Sequence, residues 1–256
     1  MNSYETFAEQ GYEIFSACDP APLAALRESL FEKIRELVPY RGESAASFFD
    51  NFHEYGLVGA ELNKVRLAAV NFCTEKKAAK QIFDSLSRPL LDLCGPDIAS
   101  QRVCNVVIHQ PGDKDQAPIH RDAPSNSHFE VIAWTPLVDT YGTKSMFLLN
   151  KRHSAEALAR LKAGEGFEDF RRYTEKHSTF VEVPFGAVCL FQAGLSHGVP
   201  VNEESETRWS LNVRYKNLFS PYGDKGLGNF FEVLQLSPLS KVAFDFSRQE
   251  FGPFDA

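Results

Sequence analysis

Beyond residue 101 the chain breaks into short runs rich in Val, Ile, Phe, Trp or Thr, each bounded by Gly, Pro, Asn or Asp. They are Arg102 to His109, His128 to Val138, Ser145 to Leu149, Thr179 to Val183, Ala187 to Phe191 and Trp209 to Tyr215. Many short strands with turns between them point to a sandwich or barrel. In the last run, strand alternation places Arg208, Ser210, Asn212 and Arg214 on one face and Trp209, Leu211, Val213 and Tyr215 on the other. A polar face turned to solvent is the commoner arrangement for such a strand. If the apolar face packs under helices instead, the two arginines line a barrel interior, where they need an anionic partner.

The first hundred residues read as mainly helical support. Asp19-Pro20 supplies a cap and a first-turn proline, and Leu23, Leu26, Leu30, Ile34 and Leu37 repeat at helical spacing until Pro39. A second stripe, Ala78, Ile82, Leu86 and Leu93, follows Thr74 and stops at Gly95-Pro96, with a kink or break expected at Pro89. Between them Phe48, Phe49, Phe52 and Tyr55 surround His53, either as packing or as part of a substrate wall. Residues 154–177 carry Ala155, Leu158 and Leu161 at helical spacing and read as a helical insertion between strands. The aromatic-rich segment 218–256, with Phe219, Tyr222, Phe230, Phe231, Phe244, Phe246, Phe251 and Phe254, reads first as a cover for the core, with a lid or a dimer surface as the other readings.

At 256 residues and with no Gly/Ser/Pro-rich linker, one domain is favoured. A net charge of -7 argues against sequence-independent nucleic-acid binding, which relies on a basic surface. The amino terminus has neither a basic start nor an apolar stretch, and no segment approaches the length of a membrane span, so a cytoplasmic location is expected. Five widely spaced cysteines without a Cys-x-x-Cys pair suit reduced thiols.

Against this background His120-Arg-Asp122 stands out, followed 75 residues after Asp122 by His197. His and Asp two apart on an extended segment point to the same side and can grip one ion. Two imidazoles and a carboxylate are the set that holds a non-haem Fe(II) ion on one face and leaves the other open. With seven histidines in the chain, chance supplies a His-x-Asp about once in two such sequences, so the pair needs its context.

The context is an ordered series: Pro118-Ile-His120-Arg-Asp122, Ala133-Trp134-Thr135-Pro-Leu-Val-Asp139, Phe147-Leu-Leu-Asn-Lys-Arg-His153-Ser154, Pro184-Phe-Gly186, His197-Gly198 with Asn202, and Arg208 eleven residues after His197. Through these motifs residues 101–217 resemble the phytanoyl-CoA dioxygenase superfamily of Fe(II)- and 2-oxoglutarate-dependent oxygenases. The resemblance implies a mainly β fold with flanking helices (α+β), whose core is a cupin-like double-stranded β-helix, or jelly roll. It implies His120, Asp122 and His197 as metal ligands, Fe(II), 2-oxoglutarate and O2 as cofactor and co-substrates, and Arg208 as the cation for the far carboxylate of the oxoacid. A planar guanidinium meets such a carboxylate with two parallel hydrogen bonds. Ser210 is expected to add a hydrogen bond there. Trp134 and Asn105 are candidates beside the co-substrate, although a core Trp and a backbone-satisfied Asn are the plainer readings.

The implied reaction couples oxidative loss of carbon dioxide from the oxoacid, giving succinate, to hydroxylation of an unactivated carbon. Asp122 speaks against the halogenating variant, while desaturation, epimerisation and ring formation stay open. The run from Pro118 to Asn126 and the turn Asn150 to Ser154 resemble a branch found in bacterial carbohydrate and aminocyclitol gene clusters. That implies a polar small-molecule substrate, such as a carbohydrate, sugar nucleotide or aminocyclitol intermediate, with Arg121, Asn126, His128, Glu130 and Arg214 as candidate contacts. The rival readings are a cupin-like isomerase or hydrolase that uses the same ligands without 2-oxoglutarate, and a jelly-roll binding protein that has lost catalysis. Arg208-x-Ser210 separates the first rival from the oxygenase.

Overall fold

A computed structural model describes residues 3–39, 41–113, 118–122 and 127–250. After α1 (Ser3–Gln10) and strand β1 (Tyr12–Ser16) come five helices, α2 (Ala21–Ile34), α3 (Ala45–Asp50), α4 (Gly59–Glu75), α5 (Ala78–Ser85) and α6 (Ser87–Cys94). Helix α2 buries Leu23, Leu26, Leu30 and Ile34 as the spacing predicts. Leu37 does not join them: the chain tightens into a 3-10 turn at Arg35–Leu37, which changes the residues per turn and leaves Leu37 exposed. The stripe expected to break at Pro89 breaks earlier, at Leu86. Pro89 sits in the first turn of α6, where its missing N–H breaks no intrahelical bond. Helix α4 lies in a stretch that the sequence left unassigned. Its buried face, Leu62, Val65, Ala69 and Cys73, is a narrow stripe in a polar segment.

The strands are β2 (Ile98–Gln101), β3 (Asn105–His109), β4 (Glu130–Pro136), β5 (Phe147–Leu148), β6 (Thr179–Phe180), β7 (Ala187–Gln192), β8 (His197–Gly198), β9 (Arg208–Asn217) and β10 (Phe231–Gln235). The larger sheet runs β1-β7-β4-β9-β2-β10, with β3 also paired to β9, and the smaller runs β6-β5-β8. Every paired strand is antiparallel. One apolar cluster draws on both sheets, with Ile132 and Trp134 of β4, Leu148 of β5 and Cys189 and Phe191 of β7. The fold is therefore α+β, with mixed helices and antiparallel sheets. Helices α7 (Lys151–Lys162) and α8 (Phe167–His177) lie between β5 and β6. The insertion starts three residues before Ser154 because Asn150 caps α7, its Oδ1 accepting from the His153 N–H at 2.9 Å.

Two ends of the sheet come from outside the strand-rich region. Tyr12 to Ser16 pair with Phe191 to Ala187, and Phe231 to Gln235 pair along β2. Both strands are short and depend on a distant partner, so local propensity marks them weakly. The C-terminal segment thus extends the sheet, and Phe231 is buried beside Ala99 and Leu218, while Phe219, Phe244 and Phe246 remain exposed. Phe251 and Phe254 lie outside the described residues. Among the described residues no helix is long and apolar enough to cross a membrane.

The apolar face of β9 packs under the helices. Trp209, Leu211, Val213 and Tyr215 join the cluster that holds the buried faces of α2, α4 and α5, and the Tyr215 hydroxyl donates to the Ala79 carbonyl at 2.6 Å. Phe49 and Phe52 lie 5.0 and 4.9 Å from the Trp209 ring. The phenylalanines around His53 are therefore packing, and His53 itself meets the Thr207 hydroxyl at 3.0 Å. Because Trp209 joins sheet to helices, Trp209→Ala is expected to lower the unfolding free energy by about 3–5 kcal/mol. The measurement is a fall in urea midpoint at constant denaturant slope; a shift within error would mean the two layers do not depend on this contact.

Candidate metal centre

With its apolar face under helices, β9 turns its polar face inward. A cavity of about 390 Å³ is lined by Arg208, Asn212 and Arg214 from this strand and by His120, Asp122 and His197. The commoner solvent-facing arrangement does not hold here.

Backbone pairing brings the histidines together. His120 and His197 exchange two N–H to carbonyl bonds of 2.9 Å, so they stand opposite each other with ring centroids 4.3 Å apart. His197 lies on β8, opposite Leu148 of β5. Ligand atoms from His120, Asp122 and His197 all lie within 4.8 Å of one another. Each imidazole meets a backbone carbonyl through Nδ1, His120 that of Pro118 at 2.8 Å and His197 that of Leu195 at 3.0 Å. A carbonyl only accepts, so Nδ1 carries a proton, which in a neutral ring leaves the lone pair on Nε2. Burial, followed by the neighbouring His120, lowers the His197 pKa and favours that neutral ring. Arg214 Nη2 lies 3.1 Å from Asp122 Oδ2 and orients this carboxylate. These residues offer two imidazole nitrogens and a carboxylate oxygen, a set suited to a divalent ion of the iron type.

Further along β9 the Arg208 guanidinium is 1% exposed. Its Nη1 donates to the Lys144 carbonyl at 3.1 Å and its carbon lies 5.7 Å from the Trp134 ring centroid, yet Nε has no partner among the described residues. Among the described residues no carboxylate forms an ion pair with it. Burial pushes its pKa down to about 9. A buried cation without a counter-ion is costly, and an anionic ligand removes that cost. Its carbonyl contact is itself held, because Lys144 Nζ is fully buried and donates to Asp50 at 2.7 Å and Glu206 at 2.6 Å.

The other candidates divide. Trp134 and Asn105 line the cavity. Ser210 is fully buried on the same face of β9, its hydroxyl without a partner among the described residues, but does not line the cavity. Arg214 lines the cavity, with Asp122 as its partner. Arg121 does not line it: standing between His120 and Asp122, it turns the other way and borders a second cavity of about 250 Å³ beside Leu158 and Phe170. His128 is exposed in the turn before β4, where its carbonyl accepts from Gln192 Nε2 at 2.7 Å. Glu130 is buried away from the cavity, its Oε1 accepting from the Ser127 N–H at 2.8 Å, and burial raises its pKa. Asn126 lies outside the described residues. Three further polar residues of the lining were not among the candidates: Gln101, His109 and Arg66. Alternation from Asn105 places His109 on the cavity face and was a usable signal; Arg66 comes from α4, which the sequence did not reveal.

The fold is similar to that of solved structures named as non-haem metal enzymes. No protein-family model matches the chain, and no curated protein does. Among solved structures it is similar to ThoJ, a non-heme monooxygenase in complex with nickel, with a TM-score of 0.56 and 16% identity over 92% of this chain and 84% of that one. It is similar to SnoK, a non-heme alpha ketoglutarate dependent carbocyclase from nogalamycin biosynthesis, with a TM-score of 0.53 and 15% identity over 87% and 85% of the two chains. The epimerase SnoN in complex with Fe3+, alpha ketoglutarate and nogalamycin RO gives a TM-score of 0.51 and 16% identity over 92% and 94%. At such identities the likeness is one of fold.

Proposed function

We propose that this chain is an Fe(II)- and 2-oxoglutarate-dependent oxygenase, a single domain built on a double-stranded β-helix, that hydroxylates a polar small molecule of the carbohydrate, sugar-nucleotide or aminocyclitol kind. The observation that carries the reading is Arg208, a buried guanidinium without a carboxylate partner among the described residues, in the same cavity as the His120, Asp122 and His197 cluster. A metal site alone suits many reactions, and an isomerase or hydrolase without an oxoacid leaves this cation uncompensated.

His120 and His197 would hold the iron through Nε2 and Asp122 through its carboxylate, while Arg214 keeps that carboxylate oriented. When bound, the iron supplies oxygen activation coupled to oxidation of the oxoacid to succinate and carbon dioxide. Arg208 would bind the far carboxylate and so hold the oxoacid in the cavity. Trp134, Phe191 and Ile132 give the cavity an apolar lining that would limit water there. Gln101 Oε1 and Asn212 Oδ1 are buried acceptors without partners among the described residues, and substrate hydroxyls are suitable donors for them. That acceptor pair supports the polar substrate class. The named neighbours include a monooxygenase, a carbocyclase and an epimerase; hydroxylation is the outcome proposed here.

The test is anaerobic addition of Fe(II) and then 2-oxoglutarate to the apoprotein. A weak visible charge-transfer band that saturates with the oxoacid is expected, and its absence from the wild-type protein would overturn the reading.

A further inference from the structure

We propose that His109 is a second anchor for the distal carboxylate of the oxoacid, a neutral N–H donor that works beside Arg208 and sharpens selection of dicarboxylate over monocarboxylate oxoacids. The proposal rests on the function proposed above and concerns a residue with no part in the metal cluster.

His109 ends β3 directly opposite Arg208 of β9. Directly opposed residues of an antiparallel pair share a face, with Cβ atoms about 5 Å apart. Both side chains line the cavity, and both are almost wholly buried, His109 at 2% exposure. Neither His109 ring nitrogen has a hydrogen-bond partner among the described residues; the Pro200 carbonyl influences the ring but lies outside bonding geometry. A neutral imidazole must carry one N–H, so a donor without a hydrogen-bond partner lies beside a cation without a carboxylate partner among the described residues. Two such groups on adjacent strands call for one anion that accepts from both.

The backbone around His109 is held from two sides. Its carbonyl accepts from Asn202 Nδ2 at 3.2 Å, and the preceding Ile108 carbonyl accepts from Arg66 Nη2 at 3.1 Å. The ring is thus presented on a fixed strand end, as a positioning donor requires. Burial and then the Arg208 charge push its pKa down to about 4, so the ring adds a hydrogen bond without a second buried positive charge. An apolar residue here would leave Arg208 to hold the carboxylate with Ser210 alone, and Ser210 does not line the cavity.

The experiment compares 2-oxoglutarate with 2-oxobutanoate, which offers the same chelating end and no distal carboxylate. Each is titrated anaerobically into the iron-loaded protein and followed by the charge-transfer band. His109→Phe is expected to weaken 2-oxoglutarate roughly tenfold, the loss of about one hydrogen bond to a charged group, and to leave 2-oxobutanoate unchanged. His109→Gln, which keeps a donor, is expected to recover most of the affinity. Equal losses for both oxoacids, or none for either, would overturn the assignment. In zinc-loaded protein with 15N-labelled histidine, 2-oxoglutarate should shift the His109 ring N–H and 2-oxobutanoate should not; an unmoved signal overturns the proposal even if the Phe variant fails to fold. If wild-type protein binds both oxoacids equally, the reading of Arg208 itself fails. If Arg208→Met loses the discrimination and His109→Phe keeps it, only the role of His109 fails.

Discussion

His120→Ala is expected to bring succinate formation to background while leaving the protein folded. The imidazole is exposed, and the two backbone bonds that join residue 120 to His197 do not involve the ring. Its removal therefore opens no core cavity and breaks no strand pairing. What it removes is one of three donors within 4.8 Å of each other. Loss of an outer partner of a metal ligand typically costs about 10–100-fold in affinity or activity, and loss of the ligand itself should exceed that. His197→Ala is a less clean probe, because His197 is buried with its ring centroid 5.0 Å from Phe191 and its loss also disturbs packing. Turnover of His120→Ala near the wild-type rate, with an unchanged circular dichroism spectrum, would remove His120 from the ligand set.

Arg208→Met is expected to weaken 2-oxoglutarate about 100- to 4,000-fold. Breaking a buried charge pair from one side costs about 3–5 kcal/mol, and each 1.4 kcal/mol is tenfold in affinity. The effect on the free protein should have the opposite sense. Without the oxoacid, Arg208 holds a carbonyl and the Trp134 ring but no carboxylate, so a similar apolar side chain should leave the apoprotein as stable or more stable. Wild-type protein should gain thermal stability as 2-oxoglutarate is added, by about 2.7 kcal/mol at one hundred times Kd, and Arg208→Met should lose that gain at the same concentration. A variant that keeps its 2-oxoglutarate affinity would show that the guanidinium serves the fold rather than the ligand.

These expectations draw on signals of different reach. His120-Arg-Asp122 was visible because alternation over three residues sets the facing of side chains, and the same rule turned Arg121 to the other side. Arg121 and His128 were candidates by proximity in the chain, and proximity carries no information about orientation at a turn. Helix α4 escaped notice because its buried stripe is narrow, and Arg66 escaped with it. His109 was within reach of the rule that placed Asn105, two steps of two residues away on the same strand. Strands β1 and β10 were not, since each is made by pairing with a partner far along the chain.

The sequence by itself determined which residues share a face: Arg208 with Ser210, Asn212 and Arg214, and Trp209 with Leu211, Val213 and Tyr215. It could not determine which face looks inward, because alternation is symmetric between the two. The tertiary structure decided that by packing α2, α4 and α5 against the Trp209 face, which leaves the arginines to line an interior cavity. It also brought His197 opposite His120 across 77 residues of sequence through two backbone hydrogen bonds. Facing follows from local backbone geometry, whereas burial and meeting depend on apolar surface contributed by distant segments.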